Sequence, residues 1–109
     1  MPITVTDKQL RRWYKEYNKA YFHDLLPDLP VYFTNVGFDC MAQTEFDSAG
    51  ATEIKFSPFL QKVPRYCAMV MLHEQCHVSV GNKEKTYHGK LWRDERKRLL
   101  DSGAFTRLI

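Results

Sequence analysis

Residues 64–81 read Pro64-Arg65-Tyr66-Cys67-Ala68-Met69-Val70-Met71-Leu72-His73-Glu74-Gln75-Cys76-His77-Val78-Ser79-Val80-Gly81, and the rest of the chain is read outward from this run. Pro64 suits the first turn of a helix, where its missing N–H has no partner to lose and its φ is already helical. Gly81 supplies the stop. Arg65 to Val80 is therefore predicted to be a helix. Its first half, Tyr66 to Leu72, is apolar all round, as a helix through the middle of a domain requires. Three ionisable groups, His73, Glu74 and His77, interrupt this apolar stretch. Burying them without partners would be costly, and a bound metal removes that cost.

Residues four apart on a helix lie on one face, one turn from each other, so the imidazoles of His73 and His77 can reach a single ion. Glu74 sits roughly 100° round the helix from His73. It can approach a metal-bound water without being a ligand, which makes it the candidate catalytic base. HExxH on a helix is the zinc peptidase signature, and this geometry is the reason. A catalytic zinc site usually takes three protein ligands and leaves one position open. His88, eleven residues after His77, is the preferred third ligand, because the chain can reverse over Gly81 to Tyr87 and return it to the metal. Glu95 is the carboxylate alternative and Glu84 a further one. The fourth histidine, His23, reads as an ordinary surface or core residue. Cys76 points away from its flanking histidines by helical phase and reads as structural.

Upstream, Thr6 and Gln9 have the form of a capping box. After them Leu10, Trp13, Tyr14, Tyr17 and Tyr21 recur at helical spacing among Lys and Arg, predicting an amphipathic helix to about Asp24, stopped by Pro27 and Pro30. Val31 to Val36 reads as a strand. Met41 to Phe46 and Ala51 to Phe56 read as a hairpin joined through Asp47-Ser48-Ala49-Gly50, and Ser57-Pro58 as the start of a short helical turn. Downstream of a polar loop, 82–87, a basic helix is predicted from His88 or Gly89 to Ser102, ended by Gly103. The expected fold is a small α+β domain: an N-terminal helix, a short three-stranded sheet, a central HExxH helix and a C-terminal helix.

The bulk properties agree with one domain over 1–109. The chain has 109 residues, 44% of them hydrophobic, with seven Phe, six Tyr and two Trp, which excludes a disordered tail. No apolar run is long enough to span a membrane, and Met1-Pro2-Ile3-Thr4 does not begin a signal peptide. A cytoplasmic, monomeric protein with no membrane association is expected. Cys40, Cys67 and Cys76 are odd in number and lack CxxC spacing, so neither a disulfide framework nor a zinc ribbon is in view. The net charge of +3 is mild. Lys90, Arg93, Arg96, Lys97 and Arg98 alternate with Asp94, Glu95 and Asp101, which reads first as a solvated, salt-bridged face and only then as a site of weak, electrostatic DNA association.

Together these residues resemble the SprT-like (Spartan-related) zinc metallopeptidases over nearly the whole chain. The resemblance rests on Tyr17-Asn18, Tyr21-Phe22 and Leu26-Pro27, on Ile54-Lys55-Phe56-Ser57 before the metal helix, and on Leu72-His73-Glu74-Gln75-Cys76-His77. It rests also on His88-Gly89-Lys90-Leu91-Trp92. The chain is similar, too, to the single-domain minigluzincins, whose third ligand can be a glutamate, which keeps Glu95 open. The resemblance implies a zincin fold, a Zn2+ cofactor and a polypeptide substrate.

In such a mechanism Glu74 takes a proton from the attacking water and passes it to the leaving amine. Tyr87 is the candidate oxyanion helper, with Tyr66 behind it, though either reads first as a packed tyrosine with a hydrogen-bonded hydroxyl. Zincins generally hold substrate as an added strand, and Met41 to Phe46 is the edge expected to receive it. Two other readings stand beside an active endopeptidase. One is a latent peptidase whose own tail, Phe105 to Ile109, fills the cleft; the other is a metal-stabilised DNA-binding module with little activity.

Overall fold

The computed structural model describes residues 4–81 and 88–105. Helix α1 spans Asp7–Tyr21, with the Thr6 hydroxyl accepting the Gln9 N–H at 3.1 Å as N-cap. Leu10, Tyr14 and Asn18 form its buried face, while Trp13, Tyr17 and Tyr21 are partly buried against the same core. The helix ends at Tyr21, short of the expected Asp24 and before either proline. The cause is Asn18. Its carbonyl accepts the Asp24 N–H at 3.0 Å, and its amide both accepts from Leu26 N (3.0 Å) and donates to Leu26 O (3.1 Å). That clamp pulls His23 and Asp24 into the left-handed region, at φ 55° and 60°, which Asp and His enter more readily than most residues.

Strand β1 is Val31–Phe33, β2 is Ala42–Asp47 and β3 is Gly50–Phe56. The sheet order is β1-β3-β2, with β1 parallel and β2 antiparallel to β3. The expected hairpin is present. Asp47 Oδ1 accepts the N–H groups of Ala49 and Gly50 at its tip, and Gly50 sits at φ 135°, which favours glycine. β1 is shorter than the predicted Val31–Val36 because its partner runs out: Phe33 pairs with Phe56, the last residue of β3. Ser57-Pro58 then turns the chain into a short 3-10 turn, Pro58–Lys62, capped by the Ser57 hydroxyl.

Helix α2 spans Pro64–Val80, with Gly81 (φ 60°) closing it through an N–H bond to His77 O at 2.9 Å. It packs against α1, the 3-10 turn, the sheet and α3. Met71, Leu72 and Cys76 are fully buried on it, and Gln75 Nε2, also fully buried, donates to Tyr14 O at 3.0 Å, fastening α2 to α1. One expectation needs correction. The first half of α2 is not enclosed all round, for Tyr66 and Met69 are exposed and Val70 half-buried. Helix α3 is Lys90–Asp101, with Gly89 rather than His88 as N-cap, and Trp92 and Leu99 enter the core. Among the described residues no helix is long and apolar enough to cross a membrane.

Candidate metal centre

His73 and His77 stand one turn apart on α2, as their spacing requires. His88 arrives from the other side, immediately before the N-cap of α3, with its backbone in the left-handed region at φ 54°. A non-glycine residue held there is sparsely populated and needs surrounding contacts to hold it. Those contacts are with the other histidines. His88 Nε2 lies 3.1 Å from His77 Nε2 and 3.2 Å from His73 Nε2, and one ligand atom from each ring falls within 4.8 Å of the others.

This arrangement fits a metal ion. A neutral imidazole carries one donor and one acceptor nitrogen, so three Nε2 atoms facing one another cannot all be satisfied by N–H···N bonds. A cation at their centre satisfies all three lone pairs together. Tetrahedral zinc at a Zn–N distance of about 2.0–2.1 Å sets its nitrogens about 3.3 Å apart, close to the spacing found. The protonation state fits as well. Burial first, then the charges of His88 and Arg96, push the pKa of His73 down to about 4. Burial and the two neighbouring histidines do the same to His77, again to about 4. His88 is lowered by burial and by Arg96. A ligating histidine must be neutral, and all three shifts favour the neutral ring.

Trp92, only 4% exposed, forms the floor. Its ring centroid lies 4.2 Å from that of His88, 4.8 Å from His73 and 5.5 Å from His77. Trp92 follows His88 by four residues, so the entry to α3 carries the third imidazole and its first turn the surface that imidazole rests on. The Arg96 guanidinium lies over the same indole, 5.3 Å from its centroid.

Glu74 is buried at 4% exposure beside this cluster. The Thr44 hydroxyl on β2 donates to its Oε1 at 2.8 Å, and its Oε2 lies 3.8 Å from His73 Nε2. Burial raises the carboxyl pKa to about 7, against the lowering effect of the Thr44 hydrogen bonds. One oxygen is thus anchored while the other is presented to the histidines. Thr44 went unmarked in the sequence: it is an ordinary strand threonine, and only the packing of β2 on α2 brings it to Glu74.

Glu95 is engaged elsewhere. The Ser79 hydroxyl donates to its Oε2 and Arg98 Nε donates to its Oε1 at 2.5 Å. Burial acts to raise its pKa, but the bonds from Arg98 and Ser79 outweigh it and the net shift is downward. It is not part of the three-histidine cluster. Tyr66 lines the cleft next to His73 and Glu74; Tyr87 and Glu84 lie outside the described residues. Cys76 is fully buried, its thiol pKa pushed up to about 12 by that burial, as expected of a structural cysteine. His23 is exposed.

β2 is an edge of the sheet, and two cavities meet at Glu74 on its flank. One, of about 400 Å³, is lined by Met41, Tyr66, Met69, Val70, His73 and Phe105 among others. The second, of about 550 Å³, includes Gln43, Thr44, Phe46 and His77. On α3 Lys90 pairs with Asp94 (2.7 Å), Lys97 with Asp101 (3.0 Å) and Arg98 with Glu95, the salt-bridged face expected from the alternating charges. Of the tail, Ala104 is buried and Phe105 is partly buried against the core; residues 106–109 lie outside the described residues.

A model of the SprT-like family matches residues 10–105, which include every residue of the cluster and its floor. Neither a curated protein nor a solved structure gives a match.

Proposed function

This chain belongs to the SprT-like family, and from that premise we propose that it is a zinc-dependent endopeptidase with His73, His77 and His88 as ligands and Glu74 as general base. The observation that carries this reading is the anchored carboxylate: Glu74 is buried, tied through one oxygen to Thr44, and turned by the other toward three convergent imidazoles. A structural metal site has no need of such a group.

Bound zinc would lower the pKa of a coordinated water toward about 7 and polarise the scissile carbonyl. The work of the chain's own residues follows from their placement. The histidines, whose burial favours the neutral ring, offer their lone pairs to the ion. Glu74 Oε2 accepts the proton of the attacking water and returns it to the leaving nitrogen; a carboxyl poised near neutral pH suits both transfers. Thr44 keeps the carboxylate in one rotamer throughout. Trp92 blocks the cluster from below and excludes water on that side. The polypeptide lies along β2, pairing through its main chain with the open edge.

Protein loaded with one equivalent of zinc should hydrolyse a casein-type substrate, lose this activity to a chelator, and regain it on adding about one equivalent of zinc. Zinc-loaded protein that cleaves nothing would overturn the proposal. Thr44→Val should lower kcat about 10- to 100-fold, since a hydrogen bond to a charged group is worth about 1.5–3 kcal/mol. KM and zinc content should not change, and Thr44→Ser should restore most of the rate. An unaltered kcat in the valine variant would remove Thr44 from the mechanism.

A further inference from the structure

Three of the apolar side chains that the core leaves uncovered lie together beside the metal centre. Met41, Tyr66 and Met69 are 41%, 47% and 40% exposed, and all three line the cavity of about 400 Å³ whose wall also contains His73 and Glu74. On α2 the residues Tyr66, Met69, Val70 and His73 follow the spacing i, i+3, i+4, i+7, which is one continuous helix face. The face that carries a metal ligand therefore continues, toward the N-terminus of the helix, as an open apolar surface. Met41 closes it from the β2 side and Phe105 from beyond α3.

We propose that this chamber is a specificity subsite, and that the enzyme selects polypeptides presenting a large apolar side chain within about two residues of the scissile bond. The inference rests on the peptidase reading above. Its reach follows from dimensions. At about 1.5 Å of rise per residue, Met69 and Val70 lie about 4.5–6 Å along the helix from His73. An extended peptide advances about 3.3 Å per residue, so one or two residues carry its side chain from the metal to the chamber. Asp39 and Arg96 also line the chamber with opposite charges that offset one another. Its two methionines are unbranched and adaptable, suiting Leu, Met and Phe alike. The cavity on the other side of Glu74 is lined by Gln43, Thr44 and His77 together with Val36 and Phe46, a mixed wall without the adaptable methionine pair of the first chamber.

The test uses zinc-loaded full-length protein and fluorogenic peptides that differ only at the two positions on each side of the scissile bond. Leu, Met or Phe at one of these positions should raise kcat/KM over Ala on the order of 10- to 100-fold. Met69→Trp, which fills the chamber from an exposed position, should reverse the order in favour of Ala; Met69→Leu should preserve it. Binding of the same peptides to zinc-loaded Glu74→Gln protein, by calorimetry, should follow the same order without turnover. Hydrolysis with no preference at any position would overturn the subsite and leave the peptidase standing. Selective binding without hydrolysis by the wild type would sustain the subsite and overturn the peptidase. Neither binding nor hydrolysis would overturn both.

Discussion

Glu74→Gln protein will hold a full equivalent of zinc and lose peptide hydrolysis by a factor on the order of 10²–10⁴, the usual contribution of a general base. The amide keeps the shape of the carboxylate and still accepts the Thr44 hydroxyl through its carbonyl oxygen, so the packing between β2 and α2 survives. What it loses is the basic oxygen now facing His73. Stability should be maintained or improved, because the substitution removes a buried group whose ionisation burial opposes. Metal content, melting temperature and turnover measured on one preparation decide the matter. Turnover within a few-fold of wild type, with zinc retained, would assign the base to another residue.

The second large effect concerns the ligands. His73→Ala or His77→Ala should leave less than about a tenth of an equivalent of zinc after dialysis, where the wild type keeps about one, because a two-ligand remnant falls short of the usual three. The metal-free proteins should nevertheless melt close to one another. His88 Nε2 sits 3.1 Å from His77 Nε2 and 3.2 Å from His73 Nε2, and removing one ring relieves that crowding. The variants should therefore lack the rise in melting temperature that zinc gives the wild type, by the linkage between binding and stability. Stoichiometric zinc in either variant would dismiss the cluster as the metal site.

Much of this architecture was legible because its signals are local. Pro64 and Gly81 bracket α2 at the residues where it begins and ends, and the turn-forming run Asp47 to Gly50 places the hairpin. His88 could be matched to its partners because only a short loop separates it from His77 and because His88-Gly89, with Trp92 four residues after the histidine, fits the motif of the family it resembles. The misreadings share a different origin. α1 stops where Asn18 grips Leu26, eight residues away, and β1 stops where a strand from elsewhere in the chain ends. The open face of α2 looked buried because apolar side chains beside a substrate cleft and apolar side chains in a core have the same composition. Thr44 meets Glu74 across thirty residues of chain, a contact that no periodicity encodes.

That last separation bears on how the protein would come apart. All three histidines lie within residues 73–88, on one helix and the residue that leads into the next. The hydroxyl that anchors Glu74 arrives from β2, an edge strand of the sheet. On the proposed function, chelation would be a short-range property of the sequence and turnover a long-range one. In a denaturant titration, peeling β2 from α2 would silence the enzyme while the ion stays in place; bound zinc would then mark an intact α2–α3 corner and nothing more.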